Sequence, residues 1–190
     1  KIALADNYEI TQRMAMITAC KNGSPELVSY VVDAFMNPAT SARVYFQAAR
    51  GIGVFDSQLV VKEMESRKEK YSRWIDEKEF NTLVRRFENG FKDKIEEYAL
   101  LKDENADKTD KRYAITGERN GCNPFAVEYF YYTIENDKDQ MYRVMAAEAL
   151  GWYKYSYIKP QIVEKCKSLV DVVDDEKVKN ELVKTINRLK

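Results

Sequence analysis

Ile17-Thr18-Ala19-Cys20-Lys21-Asn22-Gly23-Ser24-Pro25 and Ile115-Thr116-Gly117-Glu118-Arg119-Asn120-Gly121-Cys122-Asn123-Pro124 are the two stretches on which the reading of this chain turns. Each closes a helical pattern with Asn-Gly, a good helix stop, and restarts it with a proline placed where its missing N–H costs nothing. Gly23 and Gly121 lie 98 residues apart, and Ser24-Pro25 matches Asn123-Pro124 after one inserted residue. The spacing of 98 also relates Ala48-Ala49, Ile52-Gly53 and Phe55 to Ala146-Ala147, Leu150-Gly151 and Tyr153. At 99 residues, Asp76-Glu77-Lys78, Asn81 and Leu83-Val84 match Asp175-Glu176-Lys177, Asn180 and Leu182-Val183. Near-constant offsets over four blocks imply an internal duplication, about residues 10–88 and 109–187, within a single domain spanning 1–190.

Outward from these anchors the period is helical. Ile10, Met14 and Ile17 recur at i, i+4, i+7, so a first helix is expected from Ile2 through Ile17 to the stop at Gly23. Ser24 as N-cap and Pro25 open a second helix to about Met36, with Leu27, Val28, Val31 and Phe35 on its apolar face. Ala42 to Gly53 forms a third, a fourth follows Asp56 toward Tyr71, and Asp76 opens a fifth carrying Phe80, Leu83, Val84 and Phe87. Phe91, Ile95, Tyr98 and Leu101 outline a sixth. Lys102 to Asp110 is polar and reads as the one solvated connection of any length. Helices bearing the small-residue pattern start about 33 residues apart, one third of the repeat. The expected architecture is therefore an all-α solenoid of five to six helical hairpins in two tandem three-hairpin halves, ending in a lone helix from Asp175 to Leu189.

Composition agrees. The 190 residues are 45% hydrophobic and 33% charged with only 7 Gly and 4 Pro, which supplies helices better than turn-rich β structure. The 31 basic residues balance the 31 acidic ones, so the electrostatic footprint of a nucleic-acid partner is missing. There is no histidine, which excludes Ser-His-Asp and Cys-His nucleophile activation and histidine-ligated metals. No run approaches the length of a membrane span, and membrane insertion is not expected. The chain opens on Lys1 rather than Met and is expected to be cut from a precursor or larger protein; a cytoplasmic and an exported location both stay open.

Tyr142-Arg143-Val144-Met145-Ala146-Ala147-Glu148-Ala149-Leu150-Gly151 resembles the first helix of a HEAT repeat, of the subtype also found in phycobilisome lyases, where an Arg after the helix start, paired alanines and a Leu-Gly exit recur. Asp137 and Asp139 upstream fit the pattern. Val44 to Gly53 is a weaker copy in which Tyr45 stands where Arg143 does, and the remaining units match only in periodicity. The resemblance implies a right-handed α-solenoid with the second helix of each hairpin on the concave side. It implies protein binding or scaffolding and no reaction.

Aromatic density is the other unusual feature: Phe125, Tyr129, Phe130, Tyr131 and Tyr132, then Trp152, Tyr153, Tyr155 and Tyr157. Most of these rings are read as filler between stacked helices. In the repeat alignment Val127, Phe130 and Ile134 fall on the apolar face, whereas Glu128 and Tyr132 fall opposite the polar Ser29 and Asp33. Glu128, Tyr131 and Tyr132 are therefore the candidate interaction surface. Cys20, Cys122 and Cys166 form neither a disulfide framework nor a zinc site. Cys122, in a loop, is expected to be the most exposed thiol. Glu96-Glu97 and Asp171, Asp174, Asp175 read as solvated helix ends, and Arg85-Arg86 and Lys165/Lys167 as salt-bridge faces.

The expected function is a non-catalytic protein-interaction or scaffolding domain that binds a protein or peptide on its concave face, with no cofactor, metal or catalytic residue. The alternative is an accessory HEAT-like domain of a larger enzyme such as a zinc aminopeptidase. A HEAT-like DNA glycosylase is a third reading, in conflict with the neutral charge.

Overall fold

The computed structural model describes the backbone of residues 1–190 and the side chains of all but Arg86, Phe87, Gly90, Phe91, Asp93 and Asn120. The chain is all-helical, and no strand occurs among the described residues. It divides into two compact units, Lys1–Asp93 and Lys94–Lys190, each with its own core. The expectations for Phe87, Phe91, Arg86 and Asn120 fall outside the described side chains.

In the first unit a 3-10 turn, Ile2–Ala5, precedes α1 (Glu9–Asn22), α2 (Val28–Met36), α3 (Ala42–Gly51), α4 (Ser57–Ser66) and α5 (Lys68–Tyr71). α6 (Glu77–Ala99) starts in this unit and crosses its boundary. α1 packs on α3, and α2 on both α3 and α4. Met16, Val31, Val32, Ala48, Phe55, Val60 and Met64 form the solvent-free centre.

The first helix does not begin at Ile2: Asp6 Oδ1 accepts from the Tyr8 N–H (2.7 Å), turning the chain before α1 starts. The buried stripe of α1 is Met16, Ala19 and Cys20, while Ile10 and Met14 are more than half exposed. Ser24 makes no side-chain cap; Pro25–Leu27 is a 3-10 turn whose own carbonyls start α2. The fourth helix breaks at Arg67, giving α4 and α5. The fifth and sixth expected helices are the single α6, since no proline interrupts residues 77–99.

The second unit holds α7 (Lys108–Gly121), α8 (Val127–Asn136), α9 (Gln140–Leu150), α10 (Lys159–Val172) and α11 (Glu176–Leu189). α9 packs against α7, α8 and α11, and α10 against α11. Asp107, Asp139 and Asp175 cap α7, α9 and α11 by accepting first-turn N–H groups. The polar connection is therefore shorter than the expected 102–110, because Lys108 to Asp110 already belongs to α7.

Ala146, Ala147 and Leu150 are fully buried. The Thr185 hydroxyl of α11 donates to the Ala147 carbonyl (2.6 Å), and a Cβ on Gly151 would lie 3.1 Å from Thr185 Oγ1. Small residues thus let α9 and α11 approach backbone to side chain. Arg143 donates through Nε to the Ile134 carbonyl (2.9 Å), one of the last-turn acceptors of α8.

The left-handed residue after α1 is Gly23 (φ 68°), as expected, but after α7 it is Cys122 (φ 52°) rather than Gly121. The two left-handed residues therefore lie 99 residues apart rather than the expected 98. Cys122 is 5% exposed, not the open thiol expected from its loop, and its Sγ lies 3.3 Å from the Trp152 carbonyl. Burial also raises the pKa of the Cys20 and Cys166 thiols to about 12.

Candidate functional site

Asn123, Pro124 and the period of α8 set the geometry of the site. Asn123 Oδ1 accepts from the Phe125 N–H (3.0 Å), Pro124 leads a 3-10 turn, and α8 follows at Val127. Val127, Phe130, Thr133 and Ile134 turn inward, which leaves Glu128, Tyr132 and Glu135 outside. Across from the start of α8 lies the segment entering α10. The connection from α9 to α10 has eight residues, against five from α3 to α4, and the longer one carries Tyr155 and Tyr157.

Between these elements is an open groove of 590 Å³ lined by Phe125, Glu128 and Tyr131 on one side and Tyr157, Gln161 and Lys165 on the other. Tyr131 is 7% exposed and forms part of the floor, contrary to its expected place on an open surface. Burial raises the pKa of its hydroxyl, with the neighbouring Cys166 and Glu128 adding to the effect, so it stays a neutral hydrogen-bonding group. Lys165 Nζ stands 5.7 Å from the Tyr131 ring centroid and pairs with Glu135 (2.8 Å), the salt-bridge role expected of it.

Tyr132 is exposed, as expected, at 36%, but it belongs to a different surface. Lys102 Nζ lies over its ring (5.4 Å) and over Tyr129 (4.7 Å), beside a smaller cavity of 190 Å³ that also involves Lys111 and Asp137. Tyr131 and Tyr132 are about 100° apart around α8, one on each side of Glu128. The three candidate residues are thus not one patch. Glu128 and Tyr131 share the groove, and Tyr132 faces away from it.

Tyr157, Gln161 and Lys165 complete the groove although sequence reasoning did not group them with Glu128. The longer, aromatic connection before α10 was the available signal. Phe125, Tyr131 and Tyr157 present rings, Glu128 and Lys165 one charge of each sign, and Gln161 an amide. This set can hold an extended or helical peptide by apolar contact and orient it by polar contacts.

Elsewhere in this unit Glu118 is 4% exposed and accepts from the Tyr98 hydroxyl (2.5 Å) and the Asn123 N–H (3.0 Å). The Tyr153 hydroxyl donates to the Asn123 carbonyl (2.8 Å). A buried ion pair joins Lys111 to Asp137 (3.2 Å). These groups fix α7 and the start of α8, which in turn fixes Phe125 and Glu128. Asp174 and Asp175 serve helix ends, Asp175 as the α11 cap and Asp174 beside Arg143 (3.4 Å). Among the described residues no group of three or more Cys, Asp and Glu is placed to hold a metal ion, and no helix is long and apolar enough to cross a membrane. No family model, characterised protein or solved structure matches this chain.

Proposed function

We propose that this chain is a non-catalytic protein-interaction module of HEAT-like helical-repeat type, and that its second unit takes a peptide segment of a partner in the groove between α8 and α10. The observation that carries the reading is the groove itself: three aromatic rings, an open Glu128 and the Lys165 ammonium converge on 590 Å³ of accessible space. Amphipathic rings combined with a few placed polar groups are the composition enriched where proteins bind one another. The repeat-like succession α7, α9, α11 and the position of Arg143 against the α8 carbonyl support the HEAT-like assignment.

The test is selection of peptides from a random display library on the immobilised chain, followed by titration of the winners against variants. Tyr157→Ala and Glu128→Lys should each weaken selected peptides by about tenfold or more with an unchanged melting temperature. Peptides that bind both variants as tightly as the parent chain refute the groove as the site.

A further inference from the structure

The charges lining the groove between α8 and α10 do not balance. Lys165 pairs with Glu135 and lies against the Tyr131 ring, so its ammonium is already engaged, and Gln161 is neutral. Glu128, exposed on the first turn of α8, has no cation within ion-pair distance among the described residues. An incoming segment therefore meets one uncompensated carboxylate. Beside it Val127 and Ile162, both buried, give the groove an apolar floor. Tyr131 lines the same floor, and its neutral hydroxyl has no hydrogen-bond partner among the described residues. A nearly buried hydroxyl with an unused proton favours an acceptor in whatever covers it.

In the first unit the chain itself supplies a cation at the matching place. The spacing of 98 sets Glu63, Met64 and Arg67 of α4 opposite Gln161, Ile162 and Lys165 of α10, with Met64 and Ile162 both buried. Arg67 lies across the start of α2, donating to the Ser29 carbonyl while it pairs with Glu63 and Asp33. Lys165 reaches instead to Glu135, well past Glu128, which is the counterpart of Ser29. The second unit thus has an acid where the first has a serine and a neutral amide where the first has an acid. Among the described residues, no cation of its own covers that turn of α8.

We infer that the segment filling this groove carries a lysine or arginine next to an aliphatic residue. The cation pairs with Glu128, the aliphatic side chain covers Val127 and Ile162, and a main-chain carbonyl accepts from the Tyr131 hydroxyl. The inference rests on the reading of the groove as a peptide site and adds the chemistry of the occupant. An acidic segment is excluded by repulsion from Glu128, because Lys165 is held by Glu135 and cannot offset it.

The probe is a phage-displayed library of random short peptides, panned in parallel on the full parent chain and on Glu128→Lys. Glu128 is exposed, so the variant should keep the parent melting temperature. Winners that lose binding to Tyr157→Ala are the groove-bound ones. On the parent chain they should be enriched in Lys and Arg, and on Glu128→Lys in Asp and Glu. A parent winner resynthesised with its basic residue changed to glutamate should bind the parent at least about tenfold more weakly and recover on Glu128→Lys. Tyr131→Phe, which keeps the ring, should weaken the unaltered winner several-fold. Groove-bound winners without a basic excess, no recovery of the reversed peptide on Glu128→Lys, or full-strength binding to Tyr131→Phe overturns the inference while the groove stays a peptide site. If no winner depends on Tyr157, that reading falls and the inference falls with it. Sedimentation equilibrium runs alongside: self-association abolished by Glu128→Lys would make the occupant a second copy and overturn it as well.

Discussion

Asp33 on α2 and Tyr132 on α8 stand at matching places, four residues after Ser29 and Glu128, and the two units use the position in opposite ways. Asp33 Oδ1 accepts from the Tyr71 hydroxyl (2.8 Å), from Lys70 Nζ (3.1 Å) and from Arg67 Nε (3.3 Å). Arg67 also donates to the Ser29 carbonyl (3.0 Å) and pairs with Glu63. The α2 surface is thereby clamped to α4 and α5 at the break that Arg67 occupies. At Tyr132, among the described residues, Lys102 lies over the ring and no such charged cluster forms. A second pair repeats the contrast: Tyr45 stacks on Phe35 (5.6 Å, 9° between planes), whereas Arg143, at the place of Tyr45, hydrogen-bonds the carbonyl of Ile134, at the place of Phe35. Similar pairs of helices are therefore held in one unit by a charged cluster around Asp33 and in the other by a cation over a ring.

The contrast can be broken most severely from inside. Phe130→Ala, which removes a fully buried ring from beneath α8, should cost about 3–5 kcal/mol in urea denaturation, more than Val31→Ala at the matching place on α2. If the two substitutions cost the same, the two cores are not built on a common plan.

Next in size is the clamp. Arg67→Ala leaves Asp33 and Glu63 without their shared guanidinium and should lower stability by about 1–3 kcal/mol. Tyr132→Ala, at the open counterpart, should stay within about 0.5 kcal/mol. A Tyr132→Ala loss as large as the Arg67→Ala loss would show that α8 is clamped too.

Glycines make a finer test. Gly51 packs against the Cys20 side chain so closely that an added Cβ would collide with Sγ, while nothing lies within 4 Å of a Cβ on Gly53. Gly51→Ala should destabilise by about 1–3 kcal/mol and Gly53→Ala by less than about 0.5 kcal/mol, read from melting curves. Equal effects would remove the close approach of α1 and α3 from the account.

The smallest expected effect is electrostatic. Burial acts to raise the Asp33 pKa, and the hydrogen bonds from Tyr71 and Lys70 with the nearby Arg67 outweigh it, so the native pKa lies below the ordinary 3.8. A depressed carboxyl stabilises the fold above its unfolded pKa and loses that contribution as pH falls through the native one. Stability of the parent should therefore drop below about pH 4 more steeply than that of Asp33→Asn, and identical acid limbs in chemical denaturation would refute the clamp's charge.

Local signals were legible where the chemistry is local. Asp56 and Asp175 announced their helices, and Pro25 and Pro124 marked the restarts, because a cap or a proline acts on its own backbone, whereas Asp107 was hidden in a polar stretch read as a connection and caps α7. The stripe of α1 was misread because Ile10, Met14 and Ile17 are larger than Ala19 and Cys20, yet the small side chains are what lets α3 approach. Cys122 defeated the Asn-Gly rule, since one inserted residue moved the left-handed turn past the glycine. Of the candidate site, Glu128 and the exposure of Tyr132 could be read from the repeat alignment. The partition of Tyr131 and Tyr132 between two surfaces could not, because Tyr157 and Lys165, which define the groove, are distant in sequence and meet α8 only in the folded unit.

The hydrogen bond from Tyr98 to Glu118 has a practical consequence for dividing the molecule. The polar stretch around residues 103–107 looks like a natural place to cut, but it separates α7 from Tyr98 and Leu101. A fragment starting at Lys108 would remove Tyr98 and Leu101 from the core of this unit and take from the Glu118 carboxylate its phenolic donor. A fragment starting a turn or more ahead of Lys94 keeps that lid and should unfold cooperatively. Mixing the short fragment with a peptide of residues 88–107 should restore that cooperativity in trans, a split-protein complementation readout of how strongly this lid holds.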